Sequence, residues 1–386
     1  MKTIAVIFGG RSTEHDVSIV TAISSIIRPL EALGTYNIEP IYISKDGQWI
    51  WDKRLKDIRL FQSNDIKDLI KRSPKVQVQF DGGMTIVKSS QFAGRKQYRK
   101  VDVVFPAMHG THGEDGELMG LLEMANVPYV GCDMFASVIA MDKILAKQVA
   151  ESNGIATTPW IWATDKELAV HHDIVKKRLE HLRLPLFVKP ARLGSSIGIS
   201  KVEDISQLDN ALEVATHYDS RVLIEQAVDN LIEVTLPIIG NAEPSPALLE
   251  RPLPKSGDFF DFDAKYISGG KKGTTNGKQG AQGYSQIPAD IPKDLYEKAT
   301  KLGLEVYKVI GCRGLARVDM LIDSKSKQVF FNEVNPLPGS LYQHNWNMAG
   351  ISSVELVDKL IHFAEEDWLE KQKKTITFSA SFLKQF

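Results

Sequence analysis

The chain has 386 residues, which at about 150 residues per domain predicts two or three domains that each bury a core. Its 47 Lys and Arg residues nearly balance its 48 Asp and Glu residues, so no net field would draw it onto nucleic acid or a membrane surface, and small molecules are the expected partners. Two cysteines cannot form a disulfide framework, "IAVIF" is too short for a signal peptide, and no run reaches the roughly 18 apolar residues of a membrane span, so we expect a soluble cytoplasmic protein.

Short apolar, β-branched runs alternate with helical patterns over residues 1–131. The runs are "TIAVIFGG", "IEPIYIS", "VDVVFPAMHG" and "VPYVG", and "SIVTAISSIIRPLEAL" is a helix between them. This order predicts an open, doubly wound parallel α/β domain. We predict a central α/β subdomain over residues 132–224, beginning with one helix through "FASVIAMDKILAKQVAES" that closes at Gly154. A C-terminal region of α+β character would follow over residues 225–386.

The stretch "PLFVKPARLGSSIGISKV" reads as strand, loop and strand, with Lys189 before the glycines. A Walker A loop requires the lysine after the glycines and a helix next, so this segment predicts a β-hairpin instead. Its tip, from Gly194 through Ser195 and Ser196 to Gly198, could offer backbone N–H groups to a triphosphate while Lys189 supplies a cation. An ordinary hairpin with a tight turn is the alternative that these residues leave open.

A helix and a second hairpin are predicted in the C-terminal region. In "DLYEKATKLGLEVYKVIG" apolar residues recur at spacings of four and three, which predicts an amphipathic helix that packs on a sheet. The following "CRGLARVDMLIDSKSKQVFFNEVN" changes to a period of two, which predicts two strands joined by the polar turn "DSKSK", centred near Ser326.

The register of this hairpin would bring polar side chains onto one face. Asp319 would lie opposite Glu333, and Arg317 would lie opposite Asn335. The period of two also places Phe331 on the face of Glu333. Two carboxylates and an amide oxygen are hard ligands that suit Mg²⁺, and Arg317 could stabilise negative charge developing beside the metal. A solvated hairpin face with a cross-strand ion pair is the alternative.

Three further segments carry residue patterns that are typical of binding sites or loops. "HGTHGED" holds His109 and His112 at H-x-x-H spacing, but a glycine-rich loop without a helix gives little support to zinc. "GGRSTEHD" lacks the G-x-G-x-x-G spacing of a dinucleotide site. The glycines of residues 268–283, "SGGKKGTTNGKQGAQG", predict a mobile loop.

Several motifs together resemble those of the ATP-grasp ligases. They are "VKPARLGSSIGISKV", "VLIEQ", "FFDFDAKY" and "GLARVDML...FFNEVNPLPGS". With "GGRSTEHDVS" and "HGTHGEDGELMGLLE...PYVG", the chain resembles the D-alanine:D-alanine ligase family from Thr3 to about Gly350, whereas the tail after Trp368 is not covered. The resemblance implies an ATP-grasp fold preceded by the open parallel α/β domain, and a dimer formed through that first domain.

The resemblance also implies a set of site residues. Asp319, Glu333 and Asn335 would bind two Mg²⁺ ions, with Mn²⁺ as a possible substitute. Glu14 would take the ammonium of the first D-alanine, linked to Ser195 and Tyr266 with His109 nearby. Arg317 and the Gly339 backbone N–H would hold the oxyanion. The residues expected to bind ATP are Lys143, Lys189, Ser195, Ser196, Glu225, Val228, Glu233 and Lys265.

The implied chemistry joins a carboxylate to an amine at the expense of ATP. ATP would phosphorylate the first amino acid to an acyl phosphate, which the second amine attacks through a tetrahedral intermediate. Residues 268–283 would then act as a lid that excludes water, although a plain surface loop stays open. A nucleotide-binding relative without turnover is the other class of function, but a binder has no need of Arg317 aimed at an oxyanion.

The chain departs from the family at the acceptor motif. The family pattern N-x-x-P-G-x-T-x-x-S carries two hydroxyls that help to bind the second substrate's carboxylate, whereas "NPLPGSLYQHNWN" has Leu341 and His344 at those positions. His344 can carry a positive charge near neutral pH, so it could hold the same carboxylate, fill space and shift the choice of acceptor, or pack beneath Trp346. ATP use is therefore better supported by the sequence than the identity of the acceptor.

Overall fold

A computed structural model describes residues 1–74, 76–89, 96–253, 285–377, 383 and 386. The strands of the first region are β1 (Thr3–Gly9), β2 (Asn37–Ile43), β3 (Trp49–Trp51), β4 (Val76–Phe80), β5 (Met84–Ser89), β6 (Lys96–Val101) and β7 (Val103–Pro106). The first sheet has the strand order β3-β2-β1-β7, in which β1, β2 and β7 are parallel and β3 is an antiparallel edge. A separate antiparallel sheet, β4-β5-β6, was not predicted.

Strand β1 is buried on both faces, as expected for the centre of a doubly wound sheet. Ile4, Val6 and Phe8 belong to one apolar core, whereas Ala5 and Ile7 belong to another. The predicted strand in "VPYVG" amounts to a single parallel bridge from Tyr129 to Val104. The helical segments of this region are His15–Val20, Thr21–Ile27 in π geometry, Arg28–Leu33, Lys53–Lys56 in 3₁₀ geometry, Ile58–Phe61, Asp65–Arg72 and Glu117–Met124.

The central region contains the strands β8 (Trp160–Thr164), β9 (Leu186–Pro190), β10 (Ser200–Val202) and β11 (Arg221–Gln226). They form a four-stranded antiparallel sheet of order β10-β9-β11-β8. Its helical segments are Met134–Met141, Lys143–Ser152, Asp165–Val170, His172–Leu179, Ile205–Gln207 in 3₁₀ geometry and Leu208–Tyr218.

The single helix predicted after residue 134 is wrong, because the chain breaks at Asp142. This residue leaves helical geometry with φ −92° and ψ 103°, and its side chain accepts hydrogen bonds from the backbone N–H groups of Ile144 and Leu145. Arg221 also donates to Asp142 at 2.6 Å. The break makes Lys143 the first residue of a new helix, and the Lys143 side chain reaches the loop between β9 and β10, where it donates to the Leu193 carbonyl.

The strands of the C-terminal region are β12 (Leu231–Gly240), β13 (Ser245–Pro246), β14 (Arg251–Pro252), β15 (Ser285–Gln286), β16 (Gly314–Asp323) and β17 (Gln328–Asn335). Strand β16 pairs with β12 on one side and with β17 on the other in an antiparallel sheet. The predicted amphipathic helix spans Lys293–Ile310, ends at the left-handed Gly311, and packs on this sheet through residues that include Leu295, Ala299 and Val306. The other helical segments are Gly339–Tyr342 in 3₁₀ geometry, Gln343–Met348 and Ser353–Gln372.

A β-bulge changes the face of one predicted residue. Asp319 pairs with Glu333, but the next residue, Met320, pairs with Phe331, so Asn332 is the extra residue of the bulge. Phe331 therefore lies in the apolar core rather than on the face of Glu333, and that part of the prediction is wrong. A strict period of two cannot reveal a bulge, since the extra residue shifts the alternation on one strand only.

The last long helix ties the two ends of the chain together. Leu356, Val357 and Leu360 belong to the same apolar core as Ile4 and Val6 of β1. That core also contains Leu337, Leu341 and Trp346, which follow the second hairpin. The end of β17 is thereby held against the first domain's sheet. Within the part of the chain that the structure describes, no helix is long and apolar enough to cross a bilayer.

Candidate active site

The first predicted hairpin forms as β9 and β10, with Ser200 opposite Val188 and Val202 opposite Leu186. Lys189 lies on the incoming strand and is almost buried. At the tip, Ser195 and Ser196 both have positive φ, 55° and 58°, a conformation that few non-glycine residues adopt and that is concentrated at functional loops. The loop thus turns sharply above the site instead of running on as a regular strand.

Two lysines meet one buried carboxylate behind this hairpin. Lys189 Nζ contacts Glu225 Oε1, and Lys147 Nζ donates to Glu225 Oε2 at 2.9 Å. Thr158 Oγ1 donates to the same Oε2 at 2.9 Å. Burial would raise the pKa of Glu225, but the two lysine charges hold it far below its usual value. Burial lowers the pKa of Lys147, and Glu225 opposes that shift. The group is therefore a buried carboxylate between two cations.

The second hairpin has the predicted register. Asp319 lies opposite Glu333 and Arg317 lies opposite Asn335. Lys143 Nζ, at the start of its helix, lies 3.5 Å from Glu333 Oε2 and donates to the Leu193 carbonyl, in the loop between β9 and β10, at 2.8 Å. One lysine therefore links the loop of the first hairpin to the carboxylate face of the second.

Arg317 is held on three sides. Its Nε and Nη2 donate to the two oxygens of Asp319 at 2.7 and 2.5 Å, and its guanidinium carbon lies 5.1 Å from the centre of the Tyr342 ring. With the Asn335 amide turned to satisfy its neighbours, its oxygen accepts from Arg317 Nη2 at 2.9 Å and its nitrogen donates to Glu114 at 3.3 Å. Burial disfavours the charge, but Asp319 raises the pKa of Arg317 well above its usual value. The guanidinium is a fixed cation.

The two hairpins enclose a cavity of about 640 Å³. Lys189, Ser196 and Glu225 line one side, and Arg317, Asp319 and Glu333 line the other. Between them lie the segment from Gln226 to Val228 and the first residues of β12, including Glu233. The cavity therefore brings together two cations, Lys189 and Arg317, the backbone that follows β11, and the carboxylates Asp319 and Glu333. This combination suits a nucleotide with a bound divalent cation. The oxygen donors of Asp319, Glu333 and Asn335 fit Mg²⁺.

Glu14 marks a second polar centre next to the hairpin loop. The Ser195 hydroxyl donates to Glu14 Oε1, so the loop reaches across to the first domain. Two glycines permit this approach: a Cβ at Gly110 would lie 2.6 Å from Ser12 Oγ and 3.0 Å from Glu14 Oε2, and one at Gly194 would lie 3.2 Å from the same oxygen. The carboxylate sits where two loops converge, and it is nearly buried.

His109 is buried behind Glu14 and does not pair with His112. Its Nε2 lies 2.9 Å from Thr21 Oγ1, and its Nδ1 lies 3.9 Å from Glu114. Burial would lower the pKa of His109, but the nearby carboxylate of Glu114 raises it above its ordinary value. The potential metal ligands that come together among the described residues are His112, Asp115 and Glu117, without His109. The H-x-x-H spacing therefore does not form a two-histidine site.

Residues 340–347, which carry the positions of the predicted acceptor motif and are called the acceptor segment below, begin with an unusual turn after Gly339. Ser340, Leu341 and Tyr342 have successive φ values of 53°, 52° and 54°, and Thr21 Oγ1 accepts from the Ser340 N–H at 3.0 Å. Leu341 is fully buried in the apolar core that also contains Ile4, Val6 and Phe8 of β1. The chain thus turns the residue at the family's threonine position into the protein interior.

His344 has a protein partner in this structure. Its Nε2 lies 2.9 Å from Glu250 Oε2, and its ring centre lies 4.7 Å from that of Tyr342. Asn345 donates to the same carboxylate oxygen at 3.1 Å. Burial would raise the pKa of Glu250, but the bond and charge of His344 hold it below its usual value. Glu250 and the Tyr342 ring therefore set the position of His344.

Two predicted site residues, Lys265 and Tyr266, and the predicted lid 268–283 lie outside the described residues. The other predicted positions fall into two groups: those around the cavity and Glu14, and those in the acceptor segment. Gly339 follows β17 by four residues, so the second hairpin and the turn after Gly339 are close together in the chain.

Family models account for most of the chain. The model of the "D-ala D-ala ligase N-terminus" matches residues 3–132, and that of the "D-ala D-ala ligase C-terminus" matches residues 149–362. The chain belongs to the D-alanine–D-alanine ligase family. The resemblance inferred from the motifs is confirmed, and membership of this family indicates an ATP-dependent ligase.

Individual members of the D-alanine–D-alanine ligase family match over nearly their whole length. A D-alanine–D-alanine ligase of Thermoanaerobacter sp. (strain X514) is 36% identical over 96% of this chain and 98% of its own. Among solved structures, the ligase of Coxiella burnetii is 26% identical with a TM-score of 0.76, covering 96% of each chain. The VanG D-Ala:D-Ser ligase of Enterococcus faecalis is 31% identical with a TM-score of 0.76, covering 94% of this chain and 99% of its own. The predicted α/β class and ATP-grasp fold are confirmed.

Sequence reasoning missed several residues that shape the site of this family member. Lys147 follows Lys143 by four residues, so both lie on one helix face, and that spacing could have revealed it. Glu250 ends the apolar run "PALLE", where a charge calls for a buried partner. No sequence signal marks Thr158 or Tyr342, since their roles depend on strands and turns that meet only in the folded chain.

Proposed function

We propose that this enzyme joins two D-alanines through an acyl phosphate, with ATP as the phosphoryl donor, for the synthesis of peptidoglycan precursors in the cytoplasm. The observation that carries the proposal is the cavity in which Lys189, the segment 226–228 and the Asp319–Glu333 pair face one another. The adenine would lie against Glu225 and Val228, the ribose near Glu233, and the phosphates near Lys143, Lys189 and the Ser195–Ser196 turn. Lys265 would complete the set of phosphate contacts.

Asp319, Glu333 and Asn335 would hold two Mg²⁺ ions, which neutralise phosphate charge when bound. Arg317 already carries its positive charge inside the protein, so it can stabilise negative charge on the reacting carboxyl oxygen without reorganising water. The Gly339 N–H would donate to the same oxygen. Glu14 would hold the first ammonium, and the Ser195 hydroxyl, already bonded to Glu14, would hold the loop closed over the substrate.

Release of inorganic phosphate from ATP with and without D-alanine tests this function. D-alanine-dependent release with formation of the dipeptide is the expected result. Phosphate release that is absent, or the same without D-alanine, would contradict the ligase proposal and favour a nucleotide-binding relative.

A ligase with another acceptor is the second candidate. Leu341 is buried and His344 is bonded to Glu250, so neither of the family's two acceptor hydroxyls is present. One structural neighbour is a D-Ala:D-Ser ligase. Competition among D-alanine, D-serine and a D-hydroxy acid, with D-alanine as the first substrate, distinguishes the candidates by the product that predominates.

We also propose the division 1–131, 132–224 and 225–386, and a homodimer through the first domain. The helix Glu117–Met124 of the first domain exposes two apolar side chains, Leu121 and Met124, and the adjacent helix Met134–Met141, at the start of the central subdomain, adds Phe135 and Val138. An apolar patch of this kind suits a second copy of the chain. Light scattering of the protein and of a Met124→Ser variant tests this: a dimer in the first and a weaker dimer in the second support it, and a monomeric parent protein contradicts it.

A further inference from the structure

Lys147 is a buried cation that does not line the cavity but bonds to a residue that does. Its side chain is 1% exposed, and its Nζ donates to Glu225 Oε2 at 2.9 Å and to Thr158 Oγ1 at 3.0 Å. An ammonium group is retained in the protein interior only when charge and hydrogen bonds compensate its loss of water. Its position behind Glu225 therefore bears on the nucleotide site.

The bonds of Glu225 divide unevenly between its two oxygens. Oε2 accepts from Lys147 and Thr158, whereas Oε1 is paired with Lys189 among the described residues. A carboxylate oxygen accepts about two hydrogen bonds. Because Glu225 lines the cavity, Oε1 has room for one more donor from that side.

The charge of Lys189 can be paired with Glu225 or with a ligand in the cavity. In this structure it pairs with Glu225, and it also lines the cavity on the incoming strand of the phosphate hairpin. Under the proposed function, on which this inference rests, it turns to the nucleotide phosphates. Glu225 then keeps one lysine, Lys147, whose helix is fixed by the Asp142 cap.

The charge of Glu225 decides which base it can read. A carboxylate accepts a hydrogen bond from the 6-amino group of adenine, but it faces the 6-oxygen of hypoxanthine with like partial charge. A protonated carboxyl could instead donate to that oxygen. We propose that Lys147 is a specificity-determining residue that secures adenine over hypoxanthine by keeping Glu225 a carboxylate once Lys189 has turned to the phosphates.

The test compares binding of ADP and of inosine diphosphate, in the presence of Mg²⁺, by titration calorimetry. The parent protein should bind ADP more tightly. In Lys147→Met the ratio of the two affinities should fall by roughly tenfold or more, because the polar group that rejects the wrong base loses its charge. A merely structural role of Lys147 would weaken both nucleotides by the same factor, and an unchanged ratio would overturn the proposal.

Lys371→Met is the control, since Lys371 is likewise a lysine on a helix that pairs with carboxylates, Glu123 at 2.6 Å and Asp367 at 3.0 Å, but it lies outside the cavity. Its ratio should equal that of the parent protein; a fall as large as in Lys147→Met would overturn the proposal. If Lys147→Met does not fold, Lys147→Met/Glu225→Gln removes both charges. Its ratio should equal that of Glu225→Gln alone, because Lys147 acts only through Glu225; a further fall contradicts the proposal.

The outcomes separate this inference from the proposed function. A parent protein that binds neither nucleotide contradicts both the ATP site and the inference. A parent protein that prefers ADP, with the same preference in Lys147→Met, contradicts the inference alone and leaves the ATP site standing.

Discussion

The cavity between the two hairpins and the acceptor segment lie next to each other but use their charges differently. In the cavity, Lys189 pairs with Glu225, and Arg317 pairs with Asp319, so each cation has a protein partner that a ligand can replace or share. In the acceptor segment, His344 pairs with Glu250, a carboxylate that is 1% exposed and also bound by Asn345. Glu250, unlike Glu225 and Asp319, is not among the described residues that line the cavity.

This difference separates chemistry from selectivity. The cavity's ion pairs keep charged groups compensated until phosphates and metal arrive, since unpaired buried charges would destabilise the fold. The His344–Glu250 pair instead fixes one side chain in one place, and under the proposed function we expect this to favour a particular acceptor. We therefore expect substitutions in the cavity to abolish turnover, and those in the acceptor segment to shift substrate affinity.

The largest effect is expected for Arg317→Met. Losing a fixed cation beside the developing oxyanion should lower kcat by on the order of 10²- to 10³-fold. Arg59→Met is a matched control, because Arg59 also forks onto an aspartate two residues away, Asp57, at the protein surface. Steady-state kinetics of both variants, with circular dichroism as a check of folding, measure the effect. Equal kcat in the Arg317 variant and the parent protein would remove Arg317 from the mechanism.

Glu333→Gln should raise the Mg²⁺ concentration required for half-maximal activity. The amide keeps the volume but removes one charge, and losses on the order of 10- to 100-fold in metal affinity are typical near a metal site. Glu297→Gln, on the exposed face of the helix Lys293–Ile310, is the control. Activity titrated with Mg²⁺ reports the shift, and an unchanged midpoint would argue against Glu333 as a ligand.

His344→Ala should raise the KM for the second D-alanine about tenfold or more with a smaller effect on kcat, because a hydrogen bond to a charged group contributes about 1.5–3 kcal/mol. His344→Ser returns the family's hydroxyl and should recover part of the affinity. A KM that stays the same in both variants would place the acceptor carboxylate elsewhere and leave His344 a packing residue.

The smallest effect is expected for Glu250→Gln, measured as stability against pH. The pKa of Glu250 is held below its usual value, so its carboxylate stabilises the fold above the ordinary carboxyl range of about 4 to 4.5, and this contribution is lost as the pH falls below that range. The variant should be less stable by about 1–3 kcal/mol at neutral pH, with the difference shrinking below pH about 4. Urea unfolding at several pH values tests this; a difference that is constant with pH would show that the charge of Glu250 is not involved.

The sequence by itself determined the elements with a strong period and the residues that they carry. The helix Lys293–Ile310 and the register of Asp319 against Glu333 follow from local spacing, because a side-chain period and a short polar turn specify which residues face each other. The family motifs likewise need only the linear order of residues.

Only the tertiary structure decided the bulge at Asn332, the helix break at Asp142 and the partners of the buried charges. Arg221 meets Asp142, Lys147 meets Glu225, and His344 meets Glu250 across distances of roughly eighty to ninety residues in the chain. Such contacts leave no local period, since a buried charge is satisfied by whichever strand or helix the fold brings beside it.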